Sequence, residues 1–178
     1  SMALAGSIKG TVLFEGEPPE QKTLERDSDA KCSKGKVYEA VAPWRADLAL
    51  PLVARHALRE RPGDAFMQME VVDGPPNAET RIDLIDRLPE DGGPPLAHYR
   101  LTPVTGRKHQ LRIQMSTLGL PIVGDRIYPV LQPDTAAGEV PDFRDPLQLL
   151  ARTLAFTDPV TGAARRFTSR RRLARAPG

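Results

Sequence analysis

An α+β domain built around a largely antiparallel or mixed β-sheet with few helices is what this sequence predicts. Three observations carry that expectation. Short runs with strand-like alternation recur along the chain and are separated by Gly, Pro and Asp turns. A single segment, 108–118, carries clear helical spacing. The 178 residues, 40% hydrophobic and 27% charged, suit one domain with a real core and leave little room for a second full one.

The elements follow in order. Residues 6–16 (GSIKGTVLFEG) read as a strand, with Ile8, Val12 and Phe14 in period two and Gly10 breaking it. Glu17-Pro18-Pro19 is an extended linker, and residues 20–36 are polar with no apolar face to bury. KVYEAVA, from Lys36, is a strand. Residues 46–59 are mixed, because Pro51 interrupts any continuous helix. FMQMEVV (66–72) is a strand followed by the turn Asp73-Gly74-Pro75-Pro76. TRIDLIDRL (80–88) alternates Ile82, Leu84 and Leu88 with polar neighbours. After the PEDGGPP loop, 96–103 is a further strand. In 108–118, Leu111, Met115 and Leu118 share a helix face, and Gly119 is a fitting stop. Residues 129–146 form an irregular loop, and 147–156 are strand or short helix. Asp158-Pro159-Val160-Thr161-Gly162 then turns a hairpin into a last strand.

Composition limits the function classes. One cysteine, Cys32, excludes an internal disulfide framework and fits a reducing, cytoplasmic setting. No apolar run approaches membrane-spanning length, and no signal peptide is visible at the N-terminus. Ser1-Met2 looks like an expression scar. The net charge of +2 argues only weakly for an anionic partner. Its distribution says more: Arg165, Arg166, Arg170, Arg171, Arg172 and Arg175 crowd the C-terminal stretch. That stretch reads either as a frayed, solvated tail or as a phosphate-contacting patch.

Basic residue usage changes near residue 36. Five of six lysines lie in the first 36 residues, whereas Arg26 is the one arginine of nineteen found there. The switch predicts two sequence origins: a foreign or divergent segment 1–35, with one strand and a polar linker, and a unit from 36 to 178.

The densest chemistry lies in 99–128, YRLTPVTGRKHQLRIQMSTLGLPIVGDRIY. Thr105 is a candidate helix N-cap and Gly106 allows a tight turn before the helix. Free N–H groups at such a helix start favour an anion, and Arg107 and Lys108 add charge. Arg112 projects from a neighbouring part of the same surface. No second His or Cys lies at ligand spacing from His109, so no metal site is expected.

This stretch resembles the C-terminal active-site motif of the RluA-like pseudouridine synthases, which isomerise uridine in RNA. Leu120-Pro121-Ile122-Val123-Gly124-Asp125 with Tyr128 is similar to that family's Gly-x-Pro-Ile-x-Gly-Asp-x-x-Tyr signature. KVYEAVA resembles its Lys-x-Tyr-x-Ala strand, and Ala78 and Thr80 sit at its Ala-x-Thr. Leu150-Ala151, Leu154-Ala155-Phe156, Pro159 and Gly162 resemble its closing stretch. The resemblance covers 36–173 and implies part of a pseudouridine synthase catalytic domain with RNA as partner and no cofactor. It also implies roles. Tyr38 stacks on the target base, and Arg112 pairs with a catalytic aspartate. Arg107, Lys108, His109 and Gln110, with Arg170, Arg171 and Arg172 of the tail, face RNA. The chain departs from the family at Gln114 and Leu150, where the family usually has histidines.

The largest departure is upstream. The family's His-Arg-Leu-Asp-Arg-x-Thr-Ser-Gly motif would fall on residues 2–10, with Ala5 in the aspartate slot. Asp27 and Asp29, near Arg26, read as solvated loop carboxylates. Residues 1–35 also weakly resemble the opening of carboxypeptidase-regulatory or cupredoxin-like β-sandwiches. The sequence therefore predicts a truncated or recombined synthase with little activity alone. An RNA-binding remnant and a chimera without evolved function are the alternatives. Sheet edges left open by the absent strands predict a homo-oligomer, with 7–15 as a substitute strand.

Overall fold

The computed structural model describes residues 35–63, 68–89, 92–133, 144–158 and 160–176. Seven strands and one helix follow in the order β1 (Lys36–Pro43), β2 (Leu52–Glu60), β3 (Met69–Val72), β4 (Ala78–Arg87), β5 (Leu96–Pro103), α1 (Gln110–Thr117), β6 (Leu149–Thr157) and β7 (Ala164–Thr168). They form one sheet ordered β3-β2-β4-β5-β1-β6-β7, and every described pairing is antiparallel. The fold class read from the sequence is the one observed. The expected strand at 6–16 and the slots at Ala5, Asp27 and Asp29 lie outside the described residues. Among the described residues, no helix is long and apolar enough to cross a membrane.

Alternation places the core. On β1, Ala40 and Ala42 point to one face, where Ala54, Ile82, Ala97, Tyr99 and Leu101 of the neighbouring strands join them. Helix α1 closes this face with Leu111 and Met115, and Leu120 and Ile122 of the following segment complete it. The small alanines on β1 leave room for that apolar cover to approach the sheet. Tyr38 is the next residue in the same alternating row, toward the start of β1, and packs on the edge of the cluster. A smaller cluster of Leu58, Met69, Ala78, Ile113 and Tyr128 sits at the other flank of the helix.

Two local expectations change. Residues 52–60 form a regular strand, because the interruption at Pro51 falls just before it. Residues 147–156 resolve as strand β6, held by β1 on one side and β7 on the other. The hairpin turn after β6 is as expected: the Asp158 carboxylate accepts the N–H groups of Val160 and Thr161, and Gly162 takes φ +70°.

Helix α1 is buried on more than its apolar stripe. Gln110 and Gln114 are buried along with Leu111, Ile113 and Met115. Gln114, wholly buried, donates from Nε2 to the carbonyls of Ala54 (3.1 Å) and Ala78 (3.3 Å) and accepts from the Thr80 hydroxyl at 2.6 Å. A neutral amide here pins α1 to β2 and β4, with both of its ends used.

Replacing Gln114 by Leu leaves the Thr80 hydroxyl and carbonyls of β2 and β4 without that partner. Each buried unpaired group costs about 1–3 kcal/mol. Urea unfolding of Gln114→Leu is therefore expected to show a loss of about 2 kcal/mol or more, despite the more apolar side chain.

Candidate functional site

The turn between β5 and α1 is built differently from its sequence reading. The residue in the left-handed region is His109 (φ 51°), not Gly106, and His109 is the helix N-cap without a side-chain capping bond. A non-glycine residue held at positive φ costs energy that the surroundings must offset. Thr105 is not the cap. Its hydroxyl accepts the N–H of Glu79 at 2.8 Å and donates to Gln110 Oε1 at 2.8 Å, which ties the turn to β4. Gln110 also accepts the Arg107 N–H and donates to the Glu79 carbonyl and the Thr80 hydroxyl. Its amide is committed inside the protein, so it shapes the turn rather than offering free groups to a ligand.

A cavity of about 250 Å³ opens where the start of β1, the end of β5 and the start of α1 meet. Tyr38, Arg107, His109, Gln110 and Arg112 line it, together with Lys36 and Leu149. Tyr38, Arg107, His109, Gln110 and Arg112, all singled out from the sequence, therefore line one cavity. Lys108 is not among the lining residues; it forms an exposed pair with Glu60 at 3.1 Å, a kind worth little in water. Arg107 donates to the Asn77 carbonyl at 3.1 Å.

Arg112 is held by a carboxylate that sequence reading had placed only within a signature. Its Nε and Nη2 donate to Asp125 Oδ2 and Oδ1 at 2.8 and 2.6 Å, a two-pronged pairing. The Asp125 side chain is 1% exposed and also accepts the N–H groups of Ile127 and Tyr128. Burial pushes its carboxyl up, but Arg112 and the two amides outweigh that and hold it below the ordinary carboxylate range. Asp125 sits behind Arg112 and does not line the cavity. The preceding Gly124 lets the chain pass close to Pro146: at φ +74°, a Cβ there would collide with the Pro146 carbonyl.

Tyr128 completes the support. Its ring lies 5.5 Å from the Arg112 guanidinium carbon, and its hydroxyl accepts the Met69 N–H at 2.6 Å. The His109 ring meets it edge-on, with Nδ1 3.3 Å from the hydroxyl. Burial, with Arg112 and Lys108 nearby, lowers the His109 pKa, so a neutral ring accepting at Nδ1 fits this arrangement.

The basic tail is docked, against the frayed reading. Arg152 of β6 pairs with Glu39 of β1 through Nε and Nη2, while its Nη1 donates to the carbonyls of Ser169 and Arg171. Leu173 is buried, and the Arg175 N–H donates to Gln148 Oε1. Nothing in the sequence marks the residue between Ala151 and Thr153 for this role; the partners lie 113 and 17–19 positions away. Arg170, Arg171 and Arg172 stay exposed and do not line the cavity. Among the described residues no group of three or more His, Cys, Asp or Glu is placed to hold a metal ion.

The clamp has a pH signature. A carboxyl whose folded pKa is depressed contributes stability above its unfolded value near 4, and that contribution disappears as pH falls through the folded value. Breaking a buried pair by removing one charge costs about 3–5 kcal/mol. Asp125→Asn is expected to lose stability of that order at pH 7. Its deficit against the parent should shrink as pH drops below about 4 in denaturant titrations across pH.

Known proteins resemble this chain. No family model matches the chain. It is 37% identical over 170 residues to the dual-specificity RNA pseudouridine synthase RluA of Haemophilus influenzae, covering 92% of this chain and 69% of that one. It is 43% identical over 166 residues to the enzyme of the same name from Salmonella typhimurium, covering 93% and 68%. With the namesake from Vibrio parahaemolyticus, 32% identity extends over 124 residues, 70% of this chain and 44% of that one. The broader matches leave too little of the chain aside to exclude residues 1–35, so they cross the change in Lys and Arg usage and lend no support to a wholly foreign segment there. Among solved structures, human RNA pseudouridylate synthase domain containing 1 superposes with a TM-score of 0.57 at 25% identity, over 76% of this chain and 54% of that one. The chain thus spans between under half and just over two thirds of these proteins, and by its extended identity to the bacterial enzymes it belongs to the RluA-like pseudouridine synthase family.

Proposed function

We propose that the cavity beside Tyr38 receives a uridine of an RNA strand, and that this chain alone isomerises it little or not at all. One observation carries both halves: Tyr38 and Arg112 share a cavity whose described lining contains no carboxylate. Tyr38 supplies an aromatic face for the base, and such stacking contributes about 1–3 kcal/mol. Arg112 has two nitrogens committed to Asp125, and among the described residues no hydrogen-bond partner meets Nη1. That nitrogen is available to an anion on the cavity side, whether a phosphate or the carboxylate that the family's chemistry requires. Asp125 is a poor substitute for that carboxylate. It is buried, holds Arg112 and two backbone amides, and does not face the ligand space.

The same observation favours the second reading, an RNA-binding remnant without catalysis. The Lys and Arg asymmetry supports a recombined or truncated origin, with 36–178 as the folded unit and the aspartate slot near Ala5 empty of acid. The sheet edges β3 and β7, unpaired among the described residues, support a homo-oligomer, in which a partner chain brings the carboxylate.

Three measurements test these statements. Incubation with uridine-containing RNA should yield no pseudouridine above background, and a clear yield overturns the inactivity. RNA binding should weaken with salt. It should fall roughly tenfold in Tyr38→Ala, little in Tyr38→Phe, and be lost in Arg107→Ala/Arg112→Ala; no binding by the parent chain favours a chimera without evolved function. Sedimentation should show a species larger than a monomer at micromolar concentration, and a stable monomer removes the oligomer.

A further inference from the structure

A second cavity, of about 360 Å³, lies on the other side of Tyr38 and shares Tyr38 and Lys36 with the first. It runs over the β1–β6–β7 edge, past Arg152 and Thr153, to Phe167 and Ser169. Leu154 and Phe167 are directly paired across β6 and β7, and Phe156 lies two residues further along the same face. The Phe156 and Phe167 rings stack with centroids 6.1 Å apart and planes 20° apart. They are 43% and 58% exposed, so water covers an aromatic platform that a core would ordinarily claim.

The unpaired charges around this platform are of one sign. The nearby carboxylates are already engaged: Glu39 by Arg152, and Asp158 by Arg165. Arg170, Arg171 and Arg172 are exposed and, like Arg166 on the opposite face of β7, have no carboxylate partner among the described residues. The Arg152 bonds to the carbonyls of Ser169 and Arg171 fix the backbone that carries three of them beside the cavity. Exposed stacked rings bordered by unpaired arginines match single-stranded nucleic acid, which offers base faces and phosphates in alternation. A second copy laid symmetrically over this face, as distinct from one paired along a sheet edge, would bring the same arginines against these and meet like charge.

We infer that this groove is a second base-stacking subsite, which seats a nucleotide flanking the target uridine on Phe167 and Phe156 while the docked arginines hold its phosphates. The inference rests on the RNA reading of the first cavity and extends it: the ligand is a single-stranded segment of several nucleotides, threaded past both sides of Tyr38.

Anisotropy of a labelled nine-nucleotide single-stranded RNA, with photo-crosslinking of 4-thiouridine in the same oligonucleotide, tests this with the full chain. Phe156→Ala/Phe167→Ala is expected to weaken binding about tenfold, Phe167→Tyr to retain it, and the crosslink to map to β6 or β7. Both phenylalanines are substantially exposed, so the double variant should keep the parent's circular dichroism and melting. Binding that depends on Tyr38 and Arg112 but is unchanged in the double variant overturns the subsite and leaves the first cavity standing. Binding that depends on the phenylalanines but not on Tyr38 or Arg112 supports the subsite and overturns the first cavity. Unchanged RNA binding with a shift from larger species to monomer assigns the platform to a contact between copies and overturns the inference, as does the absence of RNA binding by the parent.

Discussion

The Arg112–Asp125 pair is the constraint on which the site depends. Arg112 projects from a short helix, and a long, flexible cation in such a place would ordinarily seek water. Here a buried carboxylate takes two of its nitrogens, and the backbone amides of Ile127 and Tyr128 take up the rest of that carboxylate's capacity. The ring of Tyr128 lies beside the guanidinium, and its hydroxyl reaches Met69 and His109. The charge pair ties helix α1 to the segment after it, and the Tyr128 hydroxyl ties that segment to β3. The desolvation of both ions is offset because nearly every polar direction on Asp125 is met.

The same organisation separates support from ligand contact at Arg112. A group that performs covalent or acid–base work needs an accessible oxygen facing its substrate. Asp125 has none: it orients the arginine from behind. Its place in the Gly-Asp signature is accounted for by support, with Gly124 permitting the close pass under Pro146. Arg112 itself lines the cavity.

A second charge pair governs the opposite end of the chain. Arg152 joins Glu39 to two carbonyls of the C-terminal stretch and so converts a basic tail into a fixed surface. Glu39 neighbours Tyr38 on β1, so the strand that presents the aromatic face to the first cavity also anchors the arginines beside the second. Positive charge held in place recognises a polyanion with less ordering entropy than the same charge on a free tail.

Local pattern determined most of the secondary structure. β1, β4, β5 and the turn into β7 follow from alternation and turn residues, and α1 from the spacing of Leu111 and Met115 with Gly119 as its stop. The family and five of the cavity residues were also legible, because Tyr38 and the Thr-Gly-Arg-Lys-His-Gln-Leu-Arg run carry distinctive chemistry at short range. Tertiary structure alone decided what those side chains do. Gln110 and Gln114 became internal fasteners, and the left-handed residue of the turn is His109. Arg112 found Asp125 thirteen positions away, and Arg152 found Glu39 across 113 residues. Periodicity reports which face a residue occupies within its own element; it carries no information about which distant group the sheet order brings opposite. Pairings of charge and hydrogen bond across the sheet are set by that order, and so the division between support and ligand contact appears only in three dimensions.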